Sequence, residues 1–558
     1  MTAELLPAAS STDACEPQRS SERERARRPR KRPDAGAGDA IETLARGVLL
    51  GTAMWGRSLT WVGLGGLAVA AACSPTFDAK TCATDSDCGS LVCEVQGSQP
   101  VCVSPDSATI RIGMSAPISG PNQELGTDMK LGVSMAIDAQ NATGGVRGRP
   151  IQLQFKDDQY EPDLAEQAAR SLVDVQGTSA PPRCPTTNDP TVSGMPAVST
   201  TALNRGGDAV IAFLGNVGTP TMVRAAPVSL ETGTLFFGAF TGATTILRDT
   251  TAGPCAKYVF NVRASYANEA RATLEYFFLE NVPDYQHLVS FDQNDTFGQA
   301  GYSGMVAAYT ALKGAFPAGA DPTNPITRFR YTRNDTTSVP AQVESATAYL
   351  AQLLASDSGP QTVGVMMTDT YGAAIDFITG VRNWQFANDE QQTSLQKATR
   401  LSLYFSNVSF VGPNALADGL KSAGSVTGPS GAVPYTQNVV VSQVVPNYQT
   451  DTSDVVTDYR KLIAGGQKTP SFTSLEGYID ARIFIAALDA HQGPFSPASL
   501  LTTIENLPDL SLGLGAASGF SPANHNYSKS VWGTAIASDG SFQDIYFWSD
   551  GTPIQLFE

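Results

Sequence analysis

From Ala108 to the C-terminus the chain repeats one local pattern. A short apolar run ends in a loop rich in Gly, Pro or Asn, and a segment with apolar residues at helical spacing follows. TIRIGMSAPISG (109–120) reads as a strand entering a Gly/Pro loop, and KLGVSMAIDAQNATGG (130–145) as a helix with a Gly-Gly stop. RGRPIQLQFKDDQYEP (147–162) begins with a turn and alternates as a strand. DLAEQAARSLVDV (163–175) is helical, with Asp163 placed as N-cap and Glu166 at the capping-box spacing. AVIAFLG (209–215), a helix to Glu231 and TLFFGAF (234–240) continue the series. This rhythm predicts a parallel sheet covered by helices on both faces.

The rhythm restarts near 257–266. ANEARATLEYFFLEN (267–281) is helical, HLVSFDQNDTFGQAG (287–301) is a strand opening into a loop and helix, and TRFRYT (327–332), TVGVMMTD (362–369) and LYFSNVSF (403–410) are further strands. The fold class expected is therefore α/β, with two doubly wound parallel-sheet lobes. Ligands of open parallel sheets bind beyond the carboxyl ends of the strands, which for two facing lobes means the cleft between them.

Composition narrows the function. Of 558 residues, 42% are hydrophobic, enough for a buried core, and the net charge is −16. Residues 1–72 hold 10 Lys+Arg and 8 Asp+Glu, leaving 27 and 45 for the rest, so the folded part carries −18. That surplus of acid argues against a nucleic-acid partner. Three widely spaced histidines (His287, His491, His525) leave no basis for a multi-histidine metal site or a His-dependent triad. GYSGM (301–305) and GPSGA (428–432) break the nucleophile-elbow spacing, and no P-loop or Rossmann glycine pattern occurs. The expectation is a binding protein, not an enzyme, with no cofactor and no metal.

The N-terminus is a separate object. Residues 1–53, with RSSERERARRPRKR (19–32), read as a disordered basic extension that is not part of the mature protein, or as a nucleic-acid arm. Residues 54–72 read as a signal peptide: Met54-Trp55-Gly56-Arg57 is a short positive stretch, and SLTWVGLGGLAVAAA (58–72) is apolar but short for a span. The ending Ala70-Ala71-Ala72-Cys73-Ser74 resembles the lipobox of bacterial lipoproteins, with Ala70 where the pattern prefers Leu. The resemblance implies lipidation at Cys73 and an anchored, exported protein at the cell envelope. Ser74 rather than Asp resembles an outer-membrane destination. An ordinary secretory signal is the alternative.

Residues 73–107 form a cysteine-rich linker. Cys82, Cys88, Cys93 and Cys102 lack a C-x-x-C pair and a nearby His, so two disulfides are expected rather than zinc, with three pairings open. The expected role is a protease-resistant spacer, or a small binding module. In the body, Cys184 and Cys255 are expected to pair.

The body is similar to the type I periplasmic solute-binding proteins, the leucine/isoleucine/valine-binding group of ABC-importer receptors. Eight collinear stretches carry the likeness: IGMSAPISG, GGVRGRPIQLQFKDD, GNVGTPT (215–221), FGAFTGATTILR (237–248), FNVRASYANE (260–269), FDQNDTFGQAG (291–301), LEGYIDARIFIAAL (475–488) and FSPANHNYSKSVW (520–532). It implies three crossings between lobes, near 264–266, 445–450 and 512–520. Lobe 1 would comprise 108–265 and 447–515, and lobe 2 would comprise 266–446 and 516–558.

The resemblance also implies site residues. GNVGTPT resembles the family's carboxylate-binding loop: Thr219 is read as the helix N-cap with Pro220 at the first helical position, and Thr219 and Thr221 as ligand contacts at the helix tip. Gly242, Ala243 and Thr244 occupy the next loop, where small residues permit close backbone approach. Phe297 and Tyr371 stand at two cleft aromatics, and Asn407 stands near the position where amino-acid binders carry a Glu for the ammonium. Asp292, Asp295 or Asp369 could replace that Glu, although each reads as a solvated loop acid. A monomeric receptor for a small polar solute, an amino acid or amide, follows, handing it to an ABC permease. The alternatives are a sensory receptor acting through a separate membrane partner, and a surface structural protein.

Overall fold

The computed structural model describes residues 80–96, 98–179, 202–243, 255–280, 287–316, 318–515 and 518–557. The N-terminal extension, the signal segment, Cys73, Cys184 and Thr244 lie outside these residues.

The cysteine-rich segment folds as a hairpin of β1 (Val92–Gln96) and β2 (Gln99–Val103), preceded by a 3-10 turn over Asp85–Cys88. Disulfides join Cys82 to Cys93 and Cys88 to Cys102, which selects one of the three pairings. The segment is not a free-standing spacer. Arg149, fully buried, donates to Asp85 through Nη1 (3.0 Å) and Nη2 (2.9 Å), and to the Cys93 carbonyl (3.0 Å). Arg147 lies 2.8 Å from the same carboxylate. Both guanidiniums lie over Phe495, at 5.2 Å for Arg147 and 5.0 Å for Arg149. Burial pushes the Asp85 carboxyl up, but the hydrogen bonds from Arg149 and the Cys93 N–H, with the two positive charges, hold it below the usual range.

The body begins with β3 (Ile110–Ala116), α1 (Gln123–Ala142), β4 (Ile151–Asp157) and α2 (Pro162–Leu172). A two-residue antiparallel pair, β5 (Thr178–Ser179) and β6 (Ala202–Leu203), precedes β7 (Ala212–Leu214), α3 (Thr219–Thr232), β8 (Leu235–Phe237) and β9 (Val259–Phe260). The first sheet has the order β4-β3-β7-β8-β9 and is parallel throughout. Its inner strands are buried on both faces, the signature of a helix-covered sheet: β7 and β8 expose nothing. Helix α2 begins two residues earlier than the capping box suggested, at Pro162 with Glu161 rather than Asp163 as N-cap. Glu166 is instead drawn to Arg170 (2.9 Å) and Arg224 (2.8 Å), partners that a local capping argument cannot see.

The second sheet is built from β10 (Leu288–Gln293), β11 (Thr327–Tyr331), β12 (Gln361–Thr368) and β13 (Leu401–Asn407), with a hairpin β14 (Ser425–Gly428) and β15 (Gly431–Pro434) to one side, then β16 (Val439–Gln443), β17 (Ser530–Ile536), β18 (Phe542–Ser549) and β19 (Gln555–Leu556). Its order is β11-β10-β12-β13-β16-β17-β18-β19. It is parallel as far as β16 and antiparallel beyond, a mixed edge that the strand–helix rhythm did not predict. Beyond β17 the cause is connectivity: β17 to β19 are joined by short turns, which only antiparallel neighbours allow, whereas β17 itself re-enters beside β16 after the return through the first half. Helices α4 (Tyr266–Glu280), α5 (Thr296–Lys313), α6 (Val339–Ser356), α7 (Tyr371–Phe386), α8 (Ser394–Arg400) and α9 (Pro413–Ala423) belong to this half.

Between β16 and β17 the chain returns to the first half as α10 (Asp454–Gly466), α11 (Phe472–Ala490) and α12 (Pro497–Glu505). Helix α11 packs along α1 at glycine contact: a Cβ on Gly132 would lie 1.9 Å from the Ser474 carbonyl oxygen, and one on Gly477 would lie 2.5 Å from that of Met129. Leu475, Ile479, Ile483 and Phe484 on α11 are fully buried, each worth about 2 kcal/mol relative to exposure. The chain passes between the two sheets three times, after β9, after β16 and before β17. The first and third passages lie side by side: Asn261 donates to the His525 carbonyl and Tyr527 donates back to Asn261, both at 2.8 Å. Among the described residues no helix is long and apolar enough to cross a membrane.

Candidate functional site

The parallel strands of both sheets end against one another, and an aromatic side chain follows most of those ends. Tyr160 comes after β4, Phe240 after β8, Tyr266 after β9, Phe297 after β10, Tyr371 after β12 and Phe410 after β13. Phe410 sits at the centre, with ring centroids 4.9 Å from Phe240, 4.7 Å from Phe297 and 6.1 Å from Tyr160. Tyr266 meets Phe297 at 5.5 Å. One apolar cluster thus spans both halves, with Met114, Leu125 and Val217 from the first and Val408 from the second.

The expected helix tip is present but arranged differently. Helix α3 starts at Thr219 with Gly218 (φ 101°) as N-cap, so Thr219 is the first helical residue and not the cap. A conformation with φ in that range suits Gly, and Thr would be strained there. The Thr219 hydroxyl pairs with that of Thr241 (2.7 Å), and the Thr221 hydroxyl donates to the Gly218 carbonyl (2.9 Å) and to that of Val217. Both threonines are buried. The ring of Tyr160 lies on Gly218, where a Cβ would come within 2.4 Å of it. Gly242 is covered in the same way by the ring of Tyr266, also at 2.4 Å, and its carbonyl accepts from the Tyr266 N–H (2.7 Å). The small residues therefore admit the protein's own tyrosines. The Ala243 N–H donates to the Thr241 hydroxyl (3.3 Å).

In the second half, Phe297 is fully buried in the cluster and its N–H donates to Asp295 (2.9 Å), the N-cap of α5. The Tyr371 hydroxyl donates to the Pro121 carbonyl across the divide (2.6 Å). The Asn407 amide donates to Asp369, while its Oδ1 accepts from the Val408 N–H (2.9 Å). Asp292, Asp295 and Asp369 are not solvated loop acids. Asp292 lies inside β10, fully buried, and receives Arg328 (2.6 Å) and Arg330 (3.2 Å) from the adjacent strand β11. Asp369 is fully buried, and burial, with Asp292 nearby, pushes its carboxyl well above the ordinary range despite the Asn407 bond. Asp369 Oδ2, and Asn216 Nδ2 after β7, are buried with no hydrogen-bond partner among the described residues.

Sequence reasoning missed four further features. Asp158, fully buried after β4, accepts from the Ser115 hydroxyl (2.6 Å) and the Tyr160 N–H (3.0 Å); burial outweighs both bonds and pushes its carboxyl up to about 7. Arg263, in the first passage between halves, is buried beneath the aromatic cluster, 4.8 Å from the Phe240 centroid. It faces Glu269 (3.5 Å), Glu476 (3.6 Å) and the Ser409 hydroxyl. Neighbouring Asp480 is raised well above its usual range by burial and by Glu476, with Arg263 opposing. At the rim, Arg333 of the second half reaches Glu161 of the first (3.0 Å). Asn334 donates to Glu161 (2.7 Å) and accepts from Asn122 (2.6 Å). Gln159, Tyr160 and Asn334 all take positive φ (53°, 60° and 57°) where the halves meet. Most of these contacts leave no sequence motif, because Ser115 and Asp158, Arg263 and Glu476, and Arg333 and Glu161 are far apart in the chain.

Cys255 is disulfide-bonded, and Cys184, its expected partner, lies outside the described residues, as does Thr244.

This arrangement agrees with the comparisons to known proteins. The family described as "Periplasmic binding protein" matches residues 109–189 and 195–541. A leucine/isoleucine/valine-binding protein homolog of Brucella melitensis is 38% identical over 66 residues, which cover 12% of this chain and 18% of that relative. BraC3 of Rhizobium johnstonii, a Leu/Ile/Val-binding protein, aligns over the same fraction, so the match spans less than a fifth of either relative's length. A solved structure of a possible leucine/isoleucine/valine-binding protein from Rhodopirellula baltica is 27% identical with a TM-score of 0.59, covering 79% of this chain and 98% of that one. A branched-chain amino acid transporter structure from Thermus thermophilus with bound valine shares the fold at a TM-score of 0.54 and 13% identity, covering 79% and 97%. By sequence match and by fold, the chain belongs to the periplasmic binding protein family and has its type I architecture.

Proposed function

We propose that the chain is an extracytoplasmic receptor that captures a small polar solute, an amino acid or amide, between its two halves for delivery to an ABC importer. The observation that carries this reading is the opposition of two sheets, the ends of their parallel strands facing, joined by three chain passages. Closure of such halves replaces a solute's hydration with fixed dipoles and hydrogen bonds. The buried groups suit a zwitterion. Asn216 Nδ2 at a strand end of the first half is a donor for a carboxylate, and Asp369 Oδ2 at a strand end of the second is an acceptor for an ammonium. An ammonium beside Asp369 would draw its carboxyl back to the charged form. In the same reading Thr219, Thr221, Gly242, Ala243, Thr244, Phe297, Tyr371 and Asn407 are the residues that meet the solute. Lipidation at Cys73, an envelope location and a monomeric state complete it.

The test is titration of the full chain with amino acids, amides and small carboxylates, read by thermal shift, since a bound solute stabilises by mass action. A solute that raises the melting temperature in a saturable manner supports the reading; no shift with any class refutes it. Thr219→Val should weaken binding of a carboxylate solute, because the hydroxyl orders the loop beside α3. Unchanged affinity would remove Thr219 from the site.

A further inference from the structure

We propose that Phe410 sets an upper size limit on the solute, so that this chain takes small amino acids or amides and rejects branched-chain and aromatic ones. The inference rests on the solute-binding reading above. Phe410 is fully buried and touches rings from both halves, Tyr160 and Phe240 on one side and Phe297 on the other. It therefore fills the ground between Tyr160, which lies on the N-cap of α3, and Phe297, in the first turn of α5, and on the solute-binding reading a solute's side chain lies against it.

The perch of the ring is fixed. Phe410 occupies a single 3-10 turn, Ser409–Val411, directly after β13. The Ser409 N–H donates to Glu269 (2.7 Å), the Ser409 hydroxyl receives Arg263, and the Val411 N–H closes the turn on the Val408 carbonyl (3.0 Å). Gly412, at φ 83°, ends the turn, and a Cβ there would sit 2.9 Å from Leu125 and 3.1 Å from Tyr371. Backbone retreat would break buried charged hydrogen bonds on one side and meet packed side chains on the other. Tyr160 is held as firmly by the Asp158 bond to its N–H. These bonds fix the ring on its own half, so a solute must fit beside it when the halves close.

The experiment measures affinities of the full chain, wild type, Phe410→Ala and Phe410→Leu, for glycine, alanine, valine, leucine and phenylalanine by calorimetry, with melting temperature and circular dichroism as fold checks. The wild type should rank glycine or alanine first. Phe410→Ala should improve leucine relative to alanine by about ten-fold or more, the scale at which a pocket resolves one or two methylenes. Phe410→Leu should fall between, and it decides the matter if the alanine variant does not fold. Leucine binding that appears only in a variant also supports the proposal. An unchanged leucine-to-alanine ratio in both variants, or a wild type that already prefers leucine, overturns it and leaves the solute-binding reading intact. Silence of every variant toward every solute overturns both.

Discussion

Removing Asp85 should cost the protein far more than its position in a small N-terminal hairpin suggests. Its carboxylate is the main counter-charge of Arg149, whose side chain has no exposed surface, at 3.0 and 2.9 Å, and it also serves Arg147 at 2.8 Å. Asp85→Ala leaves a buried guanidinium with the Cys93 carbonyl and a more distant Glu94, 3.6 Å from Nε. Breaking one side of a buried pair costs about 3–5 kcal/mol. The remaining Glu94 and the partial exposure of Arg147 place this case at the low end, about 3 kcal/mol, or roughly a hundred-fold in the docking equilibrium. Hydrogen exchange at the Cys93 N–H, which donates to Asp85 (2.8 Å), reads the local loss, and urea unfolding reads the global one. Arg149→Met in the same chain should recover part of the loss, because the orphaned charge goes with it. A cost below about 1 kcal/mol, or strict additivity of the two substitutions, would refute the claim that this ion pair holds the hairpin in place.

Asp158 should make stability fall as pH rises. Burial lifts its folded pKa to about 7 from an ordinary value of 3.8, so the folded state holds a proton that the unfolded chain releases between pH 4 and 7. Its contribution is complete below pH 4 and is lost as pH passes 7, a difference on the order of 4 kcal/mol, and Asp158→Asn should flatten the slope of urea midpoint against pH across that window. Arg333→Ala should speed solute release about five-fold in stopped-flow measurements, with the difference shrinking at high salt, because the Glu161 contact at the rim is partly exposed. A wild-type release rate in that variant would show that the rim contact does not latch the halves.

The strands were readable because buried parallel strands leave nearly continuous apolar runs. The run TVGVMMT, for example, became β12, and the four clustered cysteines announced two disulfides by parity alone. The site was less readable. Asp292 sits in FDQND, a composition that suggests a loop, yet β10 continues through Gln293, and the arginines that keep the acid buried lie 36 and 38 residues away on β11. Gly242 was read as a place of close backbone approach, but a sequence does not say what approaches, and the ring that lies on it is that of Tyr266. Phe410 carries no motif: its role comes from what the turn after β13 meets across the divide. Thr219 was off by one position because a Thr-Pro pair can occupy either the cap and first turn or the first turn alone, and only the positive φ of Gly218 decides.

The docking of the cysteine hairpin has a mechanical consequence. Load arriving from the N-terminal side of Lys80 enters a crosslinked hairpin whose chain runs on directly into β3 and whose Asp85 carboxylate grips Arg147 and Arg149, so both connections lead into the first sheet's half. A molecule tethered at that end would be gripped by one jaw only. The other would stay unencumbered, free to swing on its three strands of chain however taut the leash.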